Sequence, residues 1–127
     1  MDIFQVFTSI IRPILEYACE VWHPGLTKAQ TEKLEHIQTR AMRIIHPDAS
    51  YEEALERLSA EALYIQRKKQ CLKLFHDMAH PNHRLHYLLP PVRKNRGLRN
   101  ELKYPLPKTK TLRFKNSPIN YLLYNCQ

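Results

Sequence analysis

Four histidines, His76, His80, His83 and His86, follow one another as H-x3-H-x2-H-x2-H, a spacing that raises the question of a metal. Four residues apart on a helix, His76 and His80 would present two imidazoles on one face, half of a zinc site. Pro81 interrupts that helix before the other two, and no cysteine falls within the run to complete a ligand set. The expectation is therefore no metal and no cofactor. Trp22-His23 could stack a nucleotide or hold a catalytic imidazole. A general base needs a positioned partner, however, and none is visible, so the pair reads as a tryptophan closing a core and a histidine exposed where a helix stops. Cys71, five residues before His76, reads as a buried thiol on an apolar stripe rather than a nucleophile. No catalytic residue is expected.

The cations near the C-terminus make the stronger case. Arg93, Lys94, Arg96, Arg99, Lys103, Lys108, Lys110, Arg113 and Lys115 alternate with Tyr87, Tyr104, Phe114 and Tyr121. Ammonium and guanidinium groups meet phosphates, and the interleaved rings offer faces on which bases stack. The expected nucleic-acid contacts are those nine cations together with Tyr104. Binding through phosphates positions a strand without reading it, so little sequence preference is expected. A solvated charged linker would have a similar composition.

The charge is partitioned along the chain. Residues 1–80 hold ten Lys and Arg against eleven Asp and Glu, whereas residues 81–127 hold ten against Glu101 alone. The formal net charge of +8 is therefore +9 from the last third and −1 from the first eighty residues. A field this one-sided suits a polyanion; nucleic acid is the commonest, and an acidic protein or an anionic membrane surface fits the same sign. The three cysteines, Cys19, Cys71 and Cys126, are odd in number and far apart, which reads as reduced thiols in an intracellular protein, nuclear or cytoplasmic. The apolar start is interrupted by Asp2, Arg12, Glu16 and Glu20, so no membrane span is expected.

The elements that must position these groups are helices. Phe4, Phe7, Ile11, Ile14, Ala18 and Val21, with Ile10, Leu15 and Trp22 beside them, keep the helical period, with Pro13 as a kink or an effective start. His23-Pro24-Gly25 ends that run. Thr27 with Gln30 forms a capping box for a second helix, its buried stripe expected at Leu34, Ile37, Ala41, Ile44 and Ile45. His46-Pro47 stops it, and Ser50 with Glu53 caps a short third helix bearing Leu55 and Leu58. Ser59 is expected to cap a fourth, running to about Ala79 over Ile65, Leu72, Phe75 and Met78. Of nine prolines, Pro90, Pro91, Pro105, Pro107 and Pro118 crowd the last third, and the period fades there except for a short helix opened by Ser117-Pro118. The fold expected is all-α: a small bundle of about four helices over 1–80, then a basic, mostly irregular tail over 81–127 with a short helix near 118–124.

Laid out in this order, the chain resembles the C-terminal region of the polyproteins of non-LTR (LINE-type) retrotransposons, downstream of the reverse-transcriptase palm and thumb. The likeness runs through IIRPILEYACEVWHPGLTKAQTEKLEHIQTRAMRII, SYEEALERLSAEALYIQRKKQCLKLF, HRLHYLLPP and KYPLPKTKTLRFKNSPINYL. Cys19-Glu20 stands where the family usually has a small residue and proline, and the end, Tyr124-Asn125-Cys126-Gln127, lacks the usual aromatic finish. The resemblance implies a helical accessory segment of an RNA-directed DNA polymerase that handles RNA and DNA. It implies no enzyme in this chain, because the family's paired catalytic aspartates belong to the palm and no Asp-Asp pair occurs here. It therefore implies a non-catalytic fragment or relic of that region. The partners expected are RNA or DNA, with a polymerase body or self-association through apolar helix faces in addition. The alternative is a protein-interaction or self-associating helical scaffold without nucleic-acid binding.

Overall fold

The structure is a computed structural model and describes residues 2–94, 99 and 102–127. It is all-α, with no strand among the described residues. Short helices α1 (Ile3–Val6) and α2 (Arg12–Glu16) flank a π-helical turn over Phe7–Ile11, in which the Arg12 amide reaches the Phe7 carbonyl. Pro13 sits in the first turn of α2. The wider turn just upstream accommodates the residue that has no amide to give. The expected continuous helix breaks at Tyr17 and Ala18, where ψ of Tyr17 is 124° and φ of Ala18 is 49°. No glycine or proline announces that break. Then come α3 (Cys19–Trp22), a 3-10 turn over His23–Gly25, α4 (Lys28–Ile45), α5 (Tyr51–Arg57) and α6 (Leu63–Met78). A 3-10 turn over His86–Leu88, α7 (Leu112–Lys115) and α8 (Pro118–Asn125) complete the order.

The chain divides into two compact units. One runs to Cys19 and from Leu26 to Lys69; the other comprises Glu20–Gly25 and Gln70–Gln127. The division expected at residue 80 thus falls inside the second unit. In the first unit Phe7, Met42 and Ala54 form the buried centre, with Phe4, Ala41, Ile45, Leu55 and Leu58 packed around it.

Both capping boxes are present. The Thr27 and Gln30 side chains exchange bonds with each other's amides, as do those of Ser50 and Glu53. The face of α4 differs from expectation: Gln38 and Met42 are buried, while Ile37 is 42% and Ile44 64% exposed. The Gln38 amide explains the rotation, since its Nε2 donates to the Glu61 carbonyl at 2.9 Å and to the Tyr51 hydroxyl at 3.1 Å. Ile10, Ile14 and Val21, part of the apolar run that keeps the helical period, are likewise exposed.

Ser59 does not cap α6. It ends α5 in a Schellman motif: its φ is 50°, its amide donates to the Glu56 carbonyl, and the Ala60 amide donates to Leu55. The start of α6 is capped from a distance instead. The Glu35 carboxylate accepts from the Leu63 amide at 3.1 Å and the Tyr64 amide at 3.3 Å, and accepts a hydrogen bond from the Tyr51 hydroxyl as well.

The second unit has the larger core: Cys71, Phe75 and Met78 of α6 with Leu89, Tyr104, Leu122 and Leu123. Four of these residues, Leu89, Tyr104, Leu122 and Leu123, lie in the part expected to be tail or its short helix. The Gln127 side chain ties the irregular stretch down, accepting from the Tyr104 amide at 2.9 Å and donating to the Tyr104 carbonyl at 3.1 Å. The Tyr124 hydroxyl donates to the Pro107 carbonyl. Prolines and backbone irregularity therefore do not keep this segment out of a core.

Candidate nucleic-acid interface

The described tail cations fall on the surface of the second unit. Arg93, Lys94, Arg99, Lys103, Lys108, Lys110 and Arg113 are exposed and Lys115 is half-buried; Arg96 lies outside the described residues. None of these eight makes an ion pair with a carboxylate among the described residues. The Arg93 amide donates to the Lys103 carbonyl at 3.0 Å, which brings the stretch carrying Arg93 and Lys94 alongside Lys103. Lys115 is held over the Tyr124 ring, its Nζ 4.8 Å from the centroid. That is the distance of a cation–π contact, and it leaves the charge available to an anion.

The aromatic residues divide. Tyr87 is 77% and Phe114 53% exposed, open faces on which a base could stack. Tyr104, expected among the contacts, is 1% exposed; its ring meets Phe75 edge-on, with centroids 5.9 Å apart. It is a core residue rather than a free stacking platform, because Gln127 pins its backbone inward. Lys103 Nζ stands 5.5 Å from the Tyr104 centroid, beside a cavity of about 310 Å³ lined by Phe75, His76, Lys103, Tyr104 and Cys126 among others. Tyr121 is half-buried against His23, with rings perpendicular and 5.8 Å apart. Burial, then the nearby Cys71 and Cys126 thiols, push its hydroxyl pKa up.

His23 is thus half-buried rather than exposed, and its Nε2 lies 3.5 Å from the Tyr121 hydroxyl. Cys71 is fully buried in the core, as a structural thiol would be. The histidine run does not converge. The His83 Nδ1 accepts from the Leu85 amide, and the His86 Nδ1 donates to the Met78 carbonyl at 2.8 Å, so each of these ring nitrogens serves the backbone turn after α6. Among the described residues no three His, Cys, Asp or Glu side chains come together as a metal site. No described helix is long and apolar enough to cross a membrane. The chain matches no protein-family model, no curated protein and no solved structure.

Proposed function

We propose that this protein is a non-catalytic helical accessory segment of the kind found downstream of the palm and thumb in non-LTR retrotransposon reverse transcriptases, and that its basic C-terminal stretch holds RNA or DNA without reading sequence. The observation that carries the proposal is the set of eight described cations without a carboxylate partner among the described residues, with Tyr87 and Phe114 open among them. Unpaired surface cations gain from releasing the counterions of a phosphate chain, whereas cations already in ion pairs must break them first. The sequence resemblance supplies the class of parent.

Removing residues 92–115 would test the core as much as the cations, since Tyr104 would leave with them. The discriminating variant is Lys94→Gln/Lys108→Gln/Lys110→Gln/Arg113→Gln, all at exposed positions. Gel retardation of a single-stranded RNA at rising salt should give a slope of log affinity against log salt that falls by about 0.7 for each cation lost. No retardation of the wild type at low salt, or identical slopes, would sink the proposal. A second reading, a self-associating scaffold, is favoured by Ile3, Ile10, Ile14 and Tyr17, which are 59%, 58%, 72% and 80% exposed. It requires a dimer on a sizing column.

A further inference from the structure

The outer face of α4 combines two features that periodicity had separated. With 3.6 residues per turn, Lys33, His36, Ile37, Arg40, Arg43 and Ile44 occupy about a third of the helix circumference, opposite Gln38 and Met42. All six are exposed. No acid within α4 neutralises the row: Glu32 pairs with Lys28, and Glu35 is turned to Tyr51 and the start of α6. Ile37 and Ile44, two turns apart, make one edge of the stripe, and His36, Arg40 and Arg43 make the other. A crevice of about 370 Å³ opens on the cationic side of the stripe, lined by His36, Thr39, Arg40, Arg43 and Ile44.

We propose that this face docks an acidic amphipathic helix of a partner protein. One bulky apolar side chain enters the crevice beside Ile44, a second covers Ile37, and the carboxylates along the partner's flank face Lys33, Arg40 and Arg43. Charge and apolar surface are both matched by such an occupant. A phosphate backbone would satisfy the cations but leave the two isoleucines uncovered. A second copy fits poorly too. The chain's own acidic helix, α5, is seven residues long, shorter than the row of about 16 Å from Lys33 to Ile44, and its Ala54, Leu55 and Leu58 side are committed to its own core. The inference does not depend on the nucleic-acid reading, since none of the six residues belongs to the C-terminal segment.

The test uses the full chain and three labelled probes: a synthetic helix with a leucine stripe flanked by glutamates, its counterpart flanked by lysines, and an RNA duplex. The Leu/Glu helix should raise fluorescence anisotropy on binding, and the Leu/Lys helix should not. Arg40→Glu/Arg43→Glu should weaken the Leu/Glu helix by about tenfold or more, and Ile44→Ser by about fivefold. Each changed side chain is exposed and makes no ion pair with a carboxylate among the described residues, so circular dichroism and Trp22 emission should stay as in the wild type. Failure of the Leu/Glu helix to bind, or undiminished binding by either variant, overturns the proposal. So does displacement of the Leu/Glu helix by the RNA duplex, which would assign the face to nucleic acid, or a dimer that Arg40→Glu/Arg43→Glu dissolves, which would assign it to a second copy.

Discussion

Glu35 serves three donors at once: the Tyr51 hydroxyl and the amides of Leu63 and Tyr64. Replacing it with alanine strands two helix-start amides, and the unfolding midpoint in urea should fall by an amount equivalent to about 1–3 kcal/mol. An unchanged midpoint would mean that water replaces the carboxylate without cost. Tyr51 gives the same network a pH signature. Burial, then the hydrogen bond to Glu35, raise its pKa well above the ordinary 10.0. The folded state therefore keeps a proton that the unfolded state releases, so the stability this provides is intact below the ordinary tyrosine pKa and is lost as pH rises through the folded one. The stability advantage of wild type over Tyr51→Phe should shrink as pH rises above about 10. Parallel curves over that range would show that the hydroxyl is solvated. Glu35 gave no sequence signal for this role, because its partners are 16 to 29 positions away.

Helix boundaries divide by the reach of what sets them. The boxes at Thr27 and Ser50 were legible because each closes within three residues. Thr27→Ala should cost about 1 kcal/mol by thermal or urea unfolding. Ser59 was misread because serine is common at helix starts, yet here it occupies the left-handed position that follows a helix end and is usually filled by glycine. Ser59→Gly should therefore stabilise the chain by up to about 1 kcal/mol, as seen in the melting temperature, whereas a serine acting as an N-cap would lose stability on the same change. The break at Ala18 had no comparable signal, since neither Tyr17 nor Ala18 is a residue that usually stops a helix.

Across the chain, apolar residues outnumber the places that bury them, so periodicity proposes a face and packing selects one. Leu122 is 1% exposed and Ile14 72% exposed, although both stand in apolar runs. Leu122→Ala should cost about 2–5 kcal/mol, and Ile14→Ala should stay within about 0.5 kcal/mol, in urea titrations of the two variants. Equal losses would restore the stripe drawn from the sequence. Charge behaved differently from apolar pattern. The concentration of cations after residue 80 needed only counting, but counting missed the basic face of α4, because the acids of the first eighty residues balance it in number while the two on α4, Glu32 and Glu35, face other partners.

Helical class, the stops at His23-Pro24-Gly25 and His46-Pro47, the capping boxes and the basic C-terminal stretch were all determined by the sequence alone, since each rests on residues within a few positions of one another. Only the tertiary structure decided that Gln38 rather than Ile37 faces inward, that Glu35 caps α6, and that Tyr104 leaves the row of exposed aromatics for the core. Those outcomes depend on contacts such as Gln38 with Glu61 and Tyr104 with Gln127, each 23 positions apart. A buried polar group goes where its hydrogen-bond partner is, and the chain has to fold before that partner is beside it.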